Sequence, residues 1–258
     1  MNLGILDWGI GGLDLYRRLR GTRSPRNVIY WSDSGAPPYG TLSPEALTER
    51  VGAVVEQLGI MGCAQVLVAC NAASTIIDDP SLRRRAAKHG CTVSGVIRPA
   101  VRAIMREGLE QVALIAGERT IESRAYAEPL EDAGCRVVTR VAQPLSALVE
   151  YGLTEGPEID QCLAQILAPL RDEENLVLGC THYVAVLPSI RRKLPKLRMV
   201  IDPAAETLAW AERSLGMGTG ESRARFVTTG SPAAMKHAAA DAFGVRLPQV
   251  DAVDLPGN

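Results

Sequence analysis

Two cysteines stand where apolar runs end: Val66-Leu67-Val68-Ala69-Cys70-Asn71 and Leu176-Val177-Leu178-Gly179-Cys180-Thr181. A free thiol titrates near about 8.5, and a neighbouring imidazole or helix N-terminus raises the thiolate fraction that can act as base or nucleophile at neutral pH. His182 follows Cys180 by two residues, and Cys70 is followed by Asn71, Ala72, Ala73 and Ser74, a run suited to a loop that binds a small polar ligand. A strand-end cysteine taken alone is more often an inert core residue. Two of them in matching positions, each at a polar loop, shift the balance toward chemistry.

Other chemistries fit less well. Asp7-Trp8-Gly9-Ile10-Gly11-Gly12 follows the first apolar run and opens a helical stretch, so its glycines would let an anion approach backbone N–H groups. The dinucleotide fingerprint fails there, because Gly11 is followed by Gly12, Leu13 and Asp14 without the third glycine in place. A zinc site at Cys180 and His182 would need two more ligands, and neither His89 nor His237 has the spacing. No Gly-x-Ser-x-Gly occurs, and Cys180 with His182 as an acylating pair stays a minor alternative, since residues two apart need not hydrogen-bond. Cys63, Cys91, Cys135 and Cys162 receive no role.

The elements that must position these residues follow an α/β pattern. Short apolar runs (3–6, 28–31, 66–69, 93–97, 112–116, 136–141, 176–178, 199–201 and 226–228) alternate with segments of helical period. Pro44 onward reads as a helix with an apolar stripe at Leu47, Val51, Val54, Val55 and Leu58; 203–215 and 232–243 read likewise, and the tail after Val245 reads as irregular. The echo between the two cysteine segments, 110 residues apart, suits two α/β lobes facing each other, with chance similarity of two buried strands as the other explanation. Ligands of open α/β sheets bind beyond the carboxyl ends of strands, where both cysteines fall.

Composition sets the outer bounds. The 258 residues are 47% hydrophobic and 22% charged, which is ample for one large core or two small ones. Lys and Arg (28) nearly balance Asp and Glu (29), so no bulk field attracts nucleic acid or an anionic membrane, and a small-molecule partner is expected. The longest uncharged stretch, 57–77, contains two glutamines, an asparagine and two glycines and makes a poor membrane span. Without a signal-like N-terminus or paired cysteines, reduced thiols and a cytoplasmic location are expected.

Taken together, Asp7-x-Gly9-x-Gly11-Gly12, Asp33 with Pro38-Tyr39-Gly40, Ala69-Cys70-Asn71, Thr120-Ile121-x-Ser123-x-x-Tyr126, Pro144-x-x-x-Leu148-Val149-Glu150, Leu178-Gly179-Cys180-Thr181-His182-Tyr183, Ile201-Asp202 and Phe226-x-Thr228-Thr229-Gly230 resemble the cofactor-independent glutamate racemases of the aspartate/glutamate racemase superfamily. The resemblance runs from Leu3 to about Phe243. It implies an α/β fold of two similar parallel-sheet lobes across a central cleft: a first lobe of 1–97 plus 207–258 on the Cys70 side, and a second of 98–206 on the Cys180 side. It implies a 1,1-proton transfer without pyridoxal phosphate or metal, supplying D-glutamate for peptidoglycan. Cys70 would act as base toward the D-enantiomer and Cys180 toward the L-enantiomer, with Asp7 beside Cys70 and His182 and Glu150 beside Cys180. Substrate contacts would come from position 8, Tyr39, Gly40, Asn71, position 72, Thr120, Thr181 and His182. A homodimer is the one protein partnership in view.

Four positions depart from the family pattern. Trp8 replaces a serine and Ala72 a threonine, so two hydroxyls able to bind an amino acid's charged groups are missing; Gln143 replaces a cysteine before Pro144, and Val184 a proline. Losing a hydroxyl partner for a charged group costs about 1.5–3 kcal/mol. Glutamate is therefore expected to be a poor substrate if the indole fills the pocket. If the ring instead turns away, it fills a gap and leaves its backbone N–H for the substrate. Racemases acting on aspartate, hydantoins or other amino-acid-like substrates, and a non-catalytic ligand-binding or regulatory relative, remain the competing readings.

Overall fold

The structure is a computed structural model that describes residues 2–22, 26–214 and 223–255. Among the described residues there are ten strands: β1 (Asn2–Asp7), β2 (Asn27–Ser32), β3 (Cys63–Val68), β4 (Thr92–Gly95), β5 (Gln111–Ala116), β6 (Arg136–Val141), β7 (Asn175–Gly179), β8 (Met199–Ile201), β9 (Ala224–Thr228) and β10 (Asp251–Ala252). They form a six-stranded sheet in the order β10-β9-β2-β1-β3-β4 and a four-stranded sheet in the order β6-β5-β7-β8. All pairings are parallel. The central strands β1, β5 and β7 are apolar and buried along nearly their whole length, as strands must be when helices cover both sheet faces.

The two sheets repeat one topology. The orders β2-β1-β3-β4 and β6-β5-β7-β8 are the same path, β1 and β5 begin 109 residues apart (Asn2 and Gln111), and so do β2 and β6 (Asn27 and Arg136). The echo between the cysteine segments thus has a structural counterpart, and the chain carries two α/β units of one design. In each unit the strand order reverses beside the first strand, between β1 and β3 and between β5 and β7, which is where such sheets open a crevice at their carboxyl ends. Cys70 follows β3 and Cys180 follows β7.

Local sequence explains the helices that brace these crevices. Residues Pro44–Ile60 start with Ser43, whose side chain accepts from the Ala46 N–H, and with proline at the first helical position; they bury Leu47, Val51, Val54, Val55 and Leu58 against the first sheet. Burial of each such side chain is worth about 1.5–3 kcal/mol. The helix Pro232–Phe243 is capped by Ser231 and ends at Gly244 in the left-handed region (φ 63°), which only glycine enters without penalty. The helix Pro203–Ser214 packs Ala204 and Ala211 into the core under β1 and β9; Leu215, to which the periodicity had extended it, lies outside the described residues.

Two sequence expectations need correction. The tail is not wholly irregular: β10 adds a short parallel edge beside β9, a pairing too brief to leave a periodic pattern. The run 93–97 is not one strand, since β4 stops at Gly95 and Ile97 already begins a helix. Among the described residues no helix is long and apolar enough to cross a membrane.

Candidate active site

A cavity with room for several water molecules, about 90 Å³, lies between the carboxyl ends of the two sheets, and both Cys70 and Cys180 line it. Asp7, Trp8, Tyr39, Gly40, Asn71, Ala72, Thr120, Thr181 and His182 line it too. Glu150 stands one layer behind. All six cysteines are free, and the other four lie elsewhere; burial, with some help from Cys91, pushes the Cys63 thiol up to about 12, which makes it chemically quiet.

On the Cys180 side the sulfur sits 3.6 Å from Nδ1 of His182, and Nε2 of His182 sits 2.6 Å from Oε2 of Glu150. The two residues following β7 therefore do meet, contrary to what their spacing promised, because the chain turns at once into a 3₁₀ segment (Thr181–Val186) that swings the imidazole back over the sulfur. Burial opposes a charge on His182, but the contacts with Cys180 and Glu150 outweigh it and hold the imidazolium well above the ordinary range. A pKa raised on folding contributes stability that is fully present below the unfolded value of about 6.5 and is lost as pH rises through the folded one.

The same Oε2 of Glu150 accepts the backbone N–H of Ile10 at 3.0 Å. The glycine loop after β1 thus does bind an anion, as its sequence suggested, but the anion is a carboxylate of this chain. A Cβ on Gly9 would fall 2.2 Å from that carboxylate, and one on Gly11 would fall 2.2 Å from the Thr181 hydroxyl oxygen. Both glycines let the second unit close onto the first. Neither has positive φ, so Gly9→Ala strains no backbone and instead displaces Glu150 from Ile10 and His182. It is expected to lower kcat/KM about ten- to a hundred-fold, the worth of a hydrogen bond to a charged group, while melting temperature falls by only about 2–10 °C. Paired steady-state kinetics and calorimetry measure the two.

On the Cys70 side Asp7 ends β1, almost fully buried, and accepts from its neighbour's backbone N–H (Trp8, 2.7 Å) and from the Thr181 hydroxyl (2.9 Å). Burial raises its pKa. Burial first, and the Asp7 charge second, push the Cys70 thiol well above the ordinary range. The two sulfurs thus have opposite surroundings: Cys180 faces an imidazolium and Cys70 faces a carboxyl group.

Several side chains expected to touch substrate spend their polar atoms elsewhere. The Tyr39 hydroxyl donates to Asp33 (2.7 Å), a buried carboxylate also gripped by Arg50, so Tyr39 offers the cavity its ring. Thr181 donates to Asp7 and keeps only acceptor capacity. The Trp8 indole neither fills the cavity freely nor turns away from it: Nε1 donates to the Ala36 carbonyl (3.0 Å), which pins the ring against the first core as a cavity wall. Its backbone N–H is held by Asp7 and is not left over for a ligand. Asn71 has Oδ1 fixed by the Tyr126 hydroxyl across the cleft (2.6 Å), while Nδ2 is buried without a partner.

Among the polar lining residues, Arg119 and Ser146 have no place in the sequence analysis, and Gln143 enters it only as a departure from the family pattern. Arg119 donates from Nη2 to the Leu42 carbonyl of the opposite unit, and its Nε is buried without an acceptor. Its position between Gly117 and Thr120, just past β5, was the available signal. Tyr126, present in the motif without a role, proves to be the residue that orients Asn71.

The model of the Asp/Glu/hydantoin racemase family matches residues 4–211. A glutamate racemase of Gloeobacter violaceus is 34% identical, covering 99% of this chain and 97% of its own. The crystal structure of glutamate racemase from Thermus thermophilus, in complex with β-chloro-D-alanine, is 30% identical with a TM-score of 0.83, covering 98% of this chain and 97% of that one. A Francisella tularensis glutamate racemase in complex with D-glutamate, at 24% identity, shares the fold over the whole chain and 98% of its own, with a TM-score of 0.87. The chain therefore belongs to the Asp/Glu/hydantoin racemase family of isomerases, among the relatives called glutamate racemases.

Proposed function

We propose that this chain interconverts L- and D-glutamate by a two-base transfer of the α-proton, with Cys70 and Cys180 on opposite faces of the substrate's α-carbon. The observation that carries the reading is that two free thiols, each at the end of an equivalent strand, line one cavity. A single base returns a proton to the face it left, so inversion needs an acid and a base on opposite sides. The sulfur of Cys180 takes the α-proton of the L-enantiomer while the thiol of Cys70 delivers its proton to the other face; the D-enantiomer reacts with the roles exchanged.

The surroundings of each sulfur fit these tasks. The imidazolium of His182, held by Glu150, steadies negative charge on the Cys180 sulfur. The high pKa of the Cys70 thiol keeps it protonated in the resting site, ready to donate, and Asp7 lies beside it to relay the proton during the reverse reaction. Asn71 supplies an unpaired donor for a substrate carboxylate, and Thr120, Thr181, Gly40, Ala72, Tyr39 and Trp8 complete the cavity. D-Glutamate so formed would serve peptidoglycan synthesis.

One observation favours a second reading within the same chemistry: the pinned Trp8 indole walls the cavity, which suits a shorter amino acid such as aspartate. Incubation of L- and D-glutamate and L- and D-aspartate with the protein, followed by circular dichroism, decides between them. Loss of optical rotation from both glutamate enantiomers is the expected result. Racemisation confined to aspartate moves the substrate, and none with any amino acid rejects the enzyme reading.

A further inference from the structure

We propose that Arg119 is the residue that reads the substrate's side-chain charge: its guanidinium binds a second, anionic group on the ligand, so the cavity takes a dicarboxylic amino acid in preference to one with a neutral side chain. This deepens the racemase reading above and rests on it for the placement of the α-carbon.

Charge and hydrogen-bond supply support the assignment. Arg119 is the one Lys or Arg among the described residues that line the cavity. A ligand with two carboxylates and one ammonium brings a net negative charge into a site that already holds Asp7, and a buried charge needs a partner. Several other donors at the cavity are spent: Trp8 N–H and the Thr181 hydroxyl on Asp7, the Tyr39 hydroxyl on Asp33. Two buried donors remain without acceptors, Nδ2 of Asn71 and Nε of Arg119. Of these two, the charged, forked donor of Arg119 suits a carboxylate.

The repeat of the fold supplies an independent argument. Arg119 lies 109 residues after Ile10, the same offset that relates β1 to β5. Each of these positions donates across the cleft, Ile10 through its backbone N–H to Glu150 and Arg119 through Nη2 to the Leu42 carbonyl. At Ile10 the bridge uses up the donor. At Arg119 one nitrogen makes the bridge, which anchors the guanidinium, and the Nε edge stays open.

The test measures binding and turnover in Arg119→Gln and Arg119→Lys. Arg119→Gln is expected to raise KM for glutamate about ten- to a hundred-fold with kcat changed much less, the signature of lost binding rather than lost chemistry. Arg119→Lys, which keeps the charge without the fork, is expected to fall between. A purely structural bridge would instead lower kcat and melting temperature together and leave KM in place, which would overturn the proposal. Glutarate, a dicarboxylate with no stereocentre to invert, separates this claim from the racemase reading: it should raise the wild-type melting temperature more than butyrate does, and Arg119→Gln should lose that difference. Equal shifts with glutarate and butyrate in the wild type would overturn the role of Arg119 even if the variants do not fold. A wild type that binds glutarate through Arg119 yet racemises nothing would sink the racemase reading alone.

Discussion

Replacing either thiol, by Cys70→Ala or Cys180→Ala, is expected to lower the racemisation of glutamate by at least about 10³-fold. Each change removes one of two groups that must act in the same transition state, and a single general acid or base is worth about 10²–10⁴ in rate. The two variants should differ in what survives. Cys180→Ala keeps the base for the D-enantiomer, and Cys70→Ala keeps the base for the L-enantiomer, so each retains slow exchange of the α-proton with solvent in one enantiomer only. Nuclear magnetic resonance in deuterium oxide reads that exchange directly. The same substitutions at Cys63 or Cys91, which lie in the first core, should touch stability and leave the exchange pattern alone.

The second large effect belongs to Glu150. Its carboxylate holds His182 and the backbone N–H of Ile10 with one oxygen, and so joins the protonation of the imidazole to the closure of the two units. Glu150→Gln keeps the size of the side chain and removes its charge. The imidazolium then loses one of the two partners that raise its pKa against burial, so His182 gives up its proton at lower pH. Turnover of the L-enantiomer should fall about ten- to a hundred-fold, and the alkaline limb of its pH profile should move down. Turnover starting from the D-enantiomer should be less affected in its rise with pH, because that rise follows Cys70 beside Asp7. A pH profile of kcat measured from each enantiomer checks both statements; kcat/KM cannot, because an equilibrium constant of one keeps it equal in the two directions at every pH. Identical shifts for the two would mean that Glu150 acts through closure alone.

Much of this arrangement was legible in the chain, and the residues say why. Strands β1, β2, β5 and β7 announce themselves as apolar runs between helical segments, since their burial on both faces leaves no polar alternation to confuse them. The two cysteine segments could be matched because the repeat puts each sulfur at the same place in the same topology. Hydrogen bonds between the units were invisible. Glu150 to Ile10 spans 140 residues and Thr181 to Asp7 spans 174, and nothing in local periodicity reports on such pairs. Residue type also says nothing about prior commitments: Tyr39 and Thr181 read as substrate ligands, yet their hydroxyls donate to Asp33 and Asp7. Arg119 went unnoticed for the converse reason, since an arginine on a short helix is ordinarily a solvated surface group, and only the closed cleft shows that its Nε is buried.

The central claim is that two sulfurs address opposite faces of one α-carbon, and the isotope content of early product tests it most directly. L-Glutamate is incubated with the wild-type protein in deuterium oxide, and both enantiomers are isolated after a few per cent of conversion. Two bases predict that the D-glutamate formed carries deuterium at the α-carbon, delivered by the exchanged thiol of Cys70, while the remaining L-glutamate is still protiated. Deuterium appearing equally in both enantiomers at that stage, or protium carried from substrate into product, would mean one base working on both faces and would contradict the account.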